Sequence, residues 1–143
     1  MQVDRVVLDT NVLISAVLSP LGKPASCFDW VVRNATLLVS ESLVDELQSR
    51  LRRPRIARRV TPERVSFVLS ELARLAVFVE PTERIKACRD PDDDKLLEIA
   101  VFGDAGWIVT GDDDLLVLNP FEGVRVVTPS DFLILNSVPY VRR

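Results

Sequence analysis

The sequence predicts an α/β protein in which a central parallel sheet of about five strands is covered by helices on both faces. Short runs rich in Val, Ile and Leu recur along the 143 residues and have the length of buried strands. Most of these runs are followed by segments with apolar residues at helical spacing. Strands that alternate with helices are typical of a parallel sheet between two layers of helices.

The first half of the chain shows clear signals for the starts and ends of its elements. Pro24 and Pro62 fall in first turns of helices, where a missing N–H is tolerated, and Thr61 precedes Pro62 as a cap. Pro54 is expected to end the helix before it. The elements predicted in order are a strand in VDRVVLD, helices in NVLISAVL and KPASCFDWVVRN, a strand in ATLLVS, and helices in ESLVDELQSRLRR and TPERVSFVLSELARLA.

The second half continues the alternation, with no repeat or linker, so we expect one domain spanning residues 1–143. If the strand order is 3-2-1-4-5, which right-handed crossovers allow, the first and fourth strands are neighbours. The predicted elements are a strand in VFVE, a helix from RDPDDDKLLEIA to about Phe102, a strand in WIVT, one or two helical turns in DDDLLVL, a strand in VRVVT and a short helix in PSDFLIL.

Composition excludes several classes of chemistry. The chain has no histidine, which removes Ser-His-Asp and Cys-His catalysis and the mixed Cys/His zinc sites. Hydrolysis would therefore depend on carboxylates, hydroxyls, Lys, Arg or a bound hard cation. No apolar run reaches membrane-spanning length, no signal peptide is evident, and the two cysteines form no CxxC motif, so we expect a cytoplasmic protein.

Two acidic residues follow strands that we expect to be neighbours. Asp9 ends the first predicted strand, and Asp112 comes two residues after Thr110 at the end of the fourth. In open α/β sheets, ligands bind beyond the carboxyl ends of the strands where the strand order reverses. Asp9 and Asp112 are therefore candidate site residues.

The acidic stretch RDPDDDKLLEIA contains a third candidate. With about 100° of rotation per residue, Asp93 falls in the middle of the apolar stripe of the helix, whereas Asp92 and Asp94 fall near its solvent-reachable edges. A carboxylate on a buried face is costly unless it is paired or bound to a metal. The alternative is helix capping, because Asp is favoured at helix starts; this explains Asp90, Asp92 and Asp94 but not Asp93.

Glu46 is a fourth candidate, in the helix after the second strand. It lies beside the apolar row of Leu43 and Leu47, and it could reach the same sheet edge, whereas Asp45 points further away. The alternative is a solvated surface acid, since most acids are exposed.

Four segments in this order, VVLDTNVLISA, LVDELQ, DPDDDKLLEIA and IVTGDDDLL, resemble the PIN-domain nucleases. The likeness is greatest to VapC-like toxin components of prokaryotic toxin–antitoxin pairs, and it extends from about Val3 to Leu135. The resemblance implies a compact α/β/α sandwich and a ribonuclease that requires Mg²⁺ or Mn²⁺. It also implies a cognate antitoxin partner and a homodimer.

The resemblance also assigns roles by motif. The catalytic acids would be Asp9, Glu46, Asp93 and Asp112, although the run of three aspartates leaves Asp93 ambiguous with Asp92 or Asp94. The metal ligands would be Asp9, Asp93 and Asp112, with Asp114 auxiliary. Thr10, Asn11 and Thr110 match the family's polar residues beside the acids. All-oxygen ligand sets suit Mg²⁺ and Mn²⁺.

An arginine-rich segment follows Glu46 and could contact RNA phosphates, giving salt-sensitive affinity without sequence preference. The alternatives are a general bias towards arginine, since only three of the 18 basic residues are Lys, or contact with an acidic antitoxin segment. We define the arginine patch as Arg50, Arg52, Arg53, Arg55, Arg58 and Arg59.

Two other functions compete with a nuclease. A haloacid dehalogenase-like phosphohydrolase also carries an Asp at the end of its first strand, but it needs a DxD pair, and this chain has Asn11 at the second position. The other competitor is a PIN module without catalysis that binds RNA or a partner and keeps its acids as caps or as a structural cation site.

Overall fold

The structure, a computed structural model, describes residues 4–138 and contains a five-stranded parallel sheet. The strand order is 3-2-1-4-5, which confirms the predicted order. The first strand is therefore central, with the fourth as its direct neighbour. The strands are β1 (Arg5–Leu8), β2 (Thr36–Val39), β3 (Val77–Phe78), β4 (Trp107–Val109) and β5 (Arg125–Val127).

The helices agree closely with the predicted segments, with one difference. Pro54 does not only follow a helix; it also begins a further short one, because the first helical position needs no N–H. The helices of the described residues are α1 (Thr10–Leu18), α2 (Lys23–Asn34), α3 (Glu41–Leu51), α4 (Pro54–Ala57), α5 (Pro62–Leu75), α6 (Pro91–Phe102), α7 (Asp113–Leu116) and α8 (Pro129–Leu135).

Helices cover both faces of the sheet. The chain moves from β1 through β2 to β3 in one direction, then crosses back to β4 and β5 in the other. Because crossovers between parallel strands are right-handed, this reversal puts α6 and α7 on the face opposite α1 to α5. The helix α6 packs across β1, β2 and β4, while α1 packs against α2, α3 and α5. The reversal leaves a crevice beyond the carboxyl ends of β1 and β4.

The core sits on both sides of the central strands. Trp107 of β4 and Trp30 of α2 pack edge-on against Phe132 of α8, with ring centroids 5.4 and 5.6 Å away. Gly103, just after α6, passes so close to β2 that a Cβ atom would lie 2.6 Å from Leu38 Cδ1. The end of α6 therefore requires glycine. Within residues 4–138 there is no helix with the length and apolar character needed to cross a bilayer.

Carboxylates of α6 hold the irregular segment that precedes the helix. Asp94 Oδ1 accepts hydrogen bonds from the backbone N–H groups of Ala87 and Cys88, at 3.0 and 2.7 Å. One turn later, Glu98 Oε2 accepts a hydrogen bond from the N–H of Ile85 at 2.9 Å. Residues 79–89 belong to neither a strand nor a helix, so these side chains replace the backbone partners that a regular element would supply.

The position of Asp94 differs from the sequence interpretation, which put it at a solvent-reachable edge of α6. Asp94 is only 6% exposed, whereas Asp93 is half-buried. The interpretation assumed one apolar face, but α6 packs against the sheet and is also held to the preceding segment. Burial alone would raise the pKa of Asp94, but the hydrogen bonds from Ala87 and Cys88 lower it below the usual value.

Replacing this carboxylate should destabilise the fold. Asp94→Asn is expected to lower the free energy of unfolding by about 1–3 kcal/mol, because an amide oxygen accepts the two N–H bonds more weakly than a carboxylate does. Since the pKa of Asp94 is lowered in the folded protein, its contribution is complete above the ordinary pKa of 3.8 and is lost as the pH falls below that value. Urea unfolding at neutral and acidic pH measures both effects.

Asp92→Asn is the matched control, because the Asp92 side chain is 77% exposed in the same turn. In this variant the free energy of unfolding should fall by less than about 1 kcal/mol. Equal losses from the two variants would contradict the anchoring role of Asp94.

Candidate metal centre and active site

Asp9 stands at the end of the central strand, with its side chain almost wholly buried. Its Oδ1 accepts a hydrogen bond from the backbone N–H of Asn11 at 3.1 Å and so caps α1. Its Oδ2 accepts a hydrogen bond from the Thr110 hydroxyl at 2.7 Å. These two contacts fix the orientation of the carboxylate at the crevice.

Thr110 connects Asp9 to the second acid. Its side chain is fully buried, and its Oγ1 also accepts a hydrogen bond from the backbone N–H of Asp112 at 3.0 Å. One hydroxyl thus bridges the ends of β1 and β4. The predicted neighbourhood of Asp9 and Asp112 follows from the pairing of these two strands.

Capping and site roles coincide in these acids. Asp112 Oδ1 accepts from the N–H of Asp114 at 2.9 Å and caps α7, as Asp9 caps α1. A carboxylate has two oxygens and about four lone-pair sites, so a cap leaves capacity for a ligand. The capping alternative therefore does not exclude a functional role for either residue.

Asp93 comes from the opposite side of the crevice, in the first turn of α6. Burial raises the pKa of Asp93 to about 7, and a hydrogen bond with Asp112 adds to the rise, as do the charges of Asp112, Asp90 and Asp9. Two carboxyl groups held together without a cation favour a shared proton. Without a cation, the pair therefore carries less than its full negative charge near neutral pH.

Three of the four predicted metal ligands meet in one group. Oxygen atoms of Asp93, Asp112 and Asp114 all lie within 4.8 Å of one another. Among the described residues, no Lys or Arg is ion-paired with any of these three carboxylates. An all-carboxylate group of this kind fits a hard divalent cation, which takes oxygen ligands. Asp9 does not belong to this group, but Asp9, Asp93 and Asp112 all line one cavity, which we call the acidic cavity.

Glu46 faces the cavity from α3 and is the most exposed of the predicted acids. Its side chain is 49% exposed, and its Oε1 lies 3.7 Å from Arg50 Nη1. Arg50 Nη2 in turn donates a hydrogen bond to Asn11 Oδ1 at 2.7 Å. The three side chains form one wall of the cavity. Thr10, at the start of α1, is buried and also lines it.

The cavity that these residues surround has a volume of about 220 Å³. It brings together the four acids that the sequence motifs singled out, together with two of the three polar residues. The third, Thr110, lies beneath it as the bridging hydroxyl. The predicted residues that line it are Asp9, Thr10, Asn11, Glu46, Asp93 and Asp112.

The structure divides the arginine patch. Arg50 lines the acidic cavity, with its side chain 23% exposed, whereas the other five arginines are exposed to solvent. The five follow Leu51, the last residue of α3, and extend through α4 towards the cap of α5. The six arginines are therefore close in sequence, but the side chain of Arg50 faces the cavity and the other five face solvent.

Sequence reasoning missed several lining residues. Ser40 follows β2 and caps α3, and its hydroxyl accepts a hydrogen bond from the N–H of Leu43 at 3.1 Å. The rule that found Asp9, a polar residue directly after a strand, would also have found Ser40. The other missed residues are Ser42, Asp90, Asp92 and Lys95.

A second cavity of about 540 Å³ adjoins the acidic one and shares residues with it, among them Ser40 and Lys95. Its far wall is the segment held by α6, including Thr82, Arg84 and Lys86. Its lining combines three hydroxyl and three basic side chains with four acidic ones. The acidic cavity opens onto a longer polar groove.

Neither of the two cysteines lines the acidic cavity. Burial raises the pKa of Cys27 to about 12, and burial together with the carboxylates of Asp94, Asp93 and Asp112 raises the pKa of Cys88 to about 12. Both thiols stay protonated near neutral pH, and a protonated thiol is a poor nucleophile and metal ligand.

The fold and the acidic crevice define a class of protein. A model of the PIN domain family matches residues 5–114 of the chain. This range includes all of the predicted acids, from Asp9 to Asp114. The chain therefore belongs to the PIN domain family, and nuclease activity is the function that this membership indicates.

A relative with the same extent is found in an archaeon. The uncharacterized protein MJ1680 of Methanocaldococcus jannaschii is 30% identical to this chain over 139 residues. The match covers 90% of this chain and 89% of the relative. The similarity therefore covers nearly the full length of both proteins.

Cation binding at the acidic group should become tighter as the pH rises through about 7. Below this pH the carboxyl of Asp93 holds a proton, and a ligand must lose its proton to bind a metal. Isothermal titration with Mn²⁺ at one pH unit below and one above should show an increase in affinity of about tenfold. Asp93→Asn should lose both the affinity and its pH dependence. Equal Mn²⁺ affinity of the wild-type protein at the two pH values would contradict the role of Asp93.

Proposed function

We propose that this chain is an endoribonuclease that hydrolyses phosphodiester bonds of RNA with Mg²⁺ or Mn²⁺. The observation that carries the proposal is the convergence of Asp9, Glu46, Asp93 and Asp112 on one cavity at the switch point of the sheet. Because a fold alone does not define a function, the chemistry of these four side chains is the argument. Membership of the PIN domain family supports it independently.

In this proposal Asp9, Asp93, Asp112 and Asp114 hold the cation. When bound, a divalent cation makes water a stronger nucleophile and offsets negative charge on the phosphate. The carboxyl of Asp93 gives up its proton as the site fills, which restores its charge. The Thr110 hydroxyl keeps Asp9 in a fixed orientation throughout, since its hydrogen bond lies below the cavity.

Glu46 accepts the proton of the attacking water in this proposal. Its position in the cavity wall and its exposure to solvent support the role, because a general base must reach its water and later release the proton. The absence of histidine from the chain leaves carboxylates as the suitable bases near neutral pH.

RNA would follow the polar groove away from the acids. The exposed arginines after α3 supply positive charge, and the adjoining cavity adds three basic and three hydroxyl side chains beside four acidic ones. Contacts of this kind attract a polyanion without reading its sequence.

Each of Asp9→Asn, Asp93→Asn and Asp112→Asn should abolish metal-dependent cleavage of RNA and leave the thermal unfolding cooperative. The reason is that each change removes a negative oxygen from the group that holds the cation. Cleavage of a labelled single-stranded RNA with Mg²⁺ or Mn²⁺ measures the effect. Asp113→Asn is the matched control, because Asp113 lies between Asp112 and Asp114 but outside both the acidic group and the cavity. Full activity in excess EDTA would refute the metal requirement.

Simultaneous replacement of Arg52, Arg53 and Arg55 by glutamine should weaken RNA binding and make the affinity less dependent on salt concentration. Each phosphate contact releases a condensed cation, so its loss lowers the slope by about 0.7 for single strands. Fluorescence anisotropy over a series of salt concentrations measures the slope. Arg74→Gln serves as the control, since Arg74 pairs with Glu71 on α5. An unchanged slope would remove these arginines from the RNA path.

We further propose that the nuclease is a cytoplasmic toxin held inactive by a cognate antitoxin, and that it forms a homodimer. Support comes from the four motifs and their order, which resemble those of the toxin components. Growth arrest on expressing the chain alone, relieved by its genomic neighbour, is the expected behaviour. A housekeeping nuclease would not need the neighbour.

The two competing functions are separable by the same assays. A haloacid dehalogenase-like phosphohydrolase needs a second acid where Asn11 stands, and the Asn11 amide oxygen is engaged by Arg50. A module without catalysis would bind RNA or a partner and leave the RNA uncut with every cation.

A further inference from the structure

The feature that carries a further inference is the direction of Arg50. This arginine lies one turn after Glu46 on α3, and its guanidinium is directed into the acidic cavity. A hydrogen bond of 2.7 Å joins its Nη2 to Asn11 Oδ1, which fixes the planar group in position. Arg50 is half-buried, unlike the five exposed arginines that follow it.

Among the described residues, this guanidinium makes one hydrogen bond to a neutral acceptor and one long ion pair. Its hydrogen-bond acceptor is the neutral amide oxygen of Asn11. Its distance of 3.7 Å to Glu46 Oε1 is too long for a hydrogen bond. An i,i+4 ion pair of this kind stabilises a helix only weakly. The Arg50 guanidinium is therefore fixed in the cavity without a strong ion pair, so it can still bind an anion.

The lining of the cavity makes such a cation necessary for an anionic substrate. Among the described residues that line it, six are acidic and two are basic, and the second base, Lys95, lies near the exposed carboxylate of Asp92 at 3.5 Å. A phosphate that enters therefore meets strong repulsion unless cations are already fixed beside the acids. Of the two basic residues in this lining, Arg50 is the one that carries a guanidinium group. The six acids are Asp9, Glu46, Asp90, Asp92, Asp93 and Asp112.

We propose that Arg50 binds the scissile phosphate of the RNA and stabilises the charge that develops on its non-bridging oxygens. A guanidinium has five donors in a rigid fork that matches two phosphate oxygens, so the Asn11 contact leaves donors for the ligand. Because negative charge on these oxygens rises during cleavage, the interaction strengthens in the transition state. The inference deepens the proposed nuclease function and rests on it.

A purely structural role for Arg50 has different consequences. If Arg50 only supported Glu46 and Asn11, its removal would alter their positions and, through them, the affinity of the acids for a cation. If Arg50 binds phosphate, its removal leaves cation affinity unchanged or tighter, because a positive charge beside the site is gone. Cation affinity and RNA cleavage therefore separate the two roles.

The test compares Arg50→Gln and Arg50→Lys with Arg74→Gln as the matched control. Cleavage of a labelled single-stranded RNA is measured in single turnover with Mn²⁺ at saturating protein. Binding of the same RNA is measured by anisotropy with Ca²⁺ in place of Mn²⁺, and Mn²⁺ affinity by calorimetry. Arg50→Gln should slow cleavage of bound RNA about 100-fold. It should weaken RNA binding about three- to tenfold, with no loss of Mn²⁺ affinity. Arg50→Lys should fall between, because lysine keeps the charge without the fork.

Two results would overturn the inference. One is RNA cleavage and RNA binding by Arg50→Gln equal to those of Arg74→Gln. The other is a fall in Mn²⁺ affinity that parallels the fall in cleavage, which would make Arg50 a positioning residue for the acids. Failure of the proposed function is recognised separately, since the wild-type protein itself would then not cleave RNA. In that event the Ca²⁺ binding series still decides: weaker binding by Arg50→Gln supports the phosphate contact, and equal binding rejects it.

Discussion

The geometry of the site depends on one buried hydroxyl group, that of Thr110. It donates to the carboxylate of Asp9 and accepts from the backbone of Asp112, so it joins the ends of two neighbouring strands beneath the cavity. Carboxylates that converge on a small volume repel one another. A rigid neutral link under them holds the strand ends together without adding charge. The remaining acids then only need to arrive from helices that pack on this edge.

In this arrangement, the same acidic residues both cap helices and line the site. Asp9 and Asp112 each cap a helix with one oxygen while presenting carboxylate to the crevice. A cap fixes the carboxylate against the first turn, so the site acids are held by backbone N–H groups that exist in any case. The α6 helix uses the same principle over a longer stretch, with Asp93 in the cavity and Asp94 and Glu98 binding the segment before it. Structural and candidate functional roles thus alternate along a single acidic run.

The sequence pattern predicted the parallel sheet, and the resemblance to a known family singled out the four acids that line the cavity. Strand ends are set by local patterns, and the crossover rule allows the order 3-2-1-4-5, in which β1 and β4 are neighbours. Asp94 was misplaced for a physical reason. A helical wheel considers one helix and one apolar face, and it contains no information about an irregular segment packed on the other side. Residues 79–89 have no regular spacing of apolar residues from which this packing could have been predicted. Arg50 was grouped with its sequence neighbours, although its i,i+4 spacing from Glu46 already indicated a shared face.

The three successive aspartates of α6 have different surroundings. Asp92 and Asp93 both line the acidic cavity, but Asp92 is largely exposed to solvent and Asp93 is half-buried, whereas Asp94 binds the backbone of the preceding segment. Each step along the helix turns the side chain by about 100°. Insertion or deletion of one residue here would carry every carboxylate into its neighbour's place, even though the composition of the run would hardly change. Alignments of distant relatives through this stretch should therefore be anchored on the partners of Asp94 and Glu98, since identity among aspartates cannot distinguish one frame from the next.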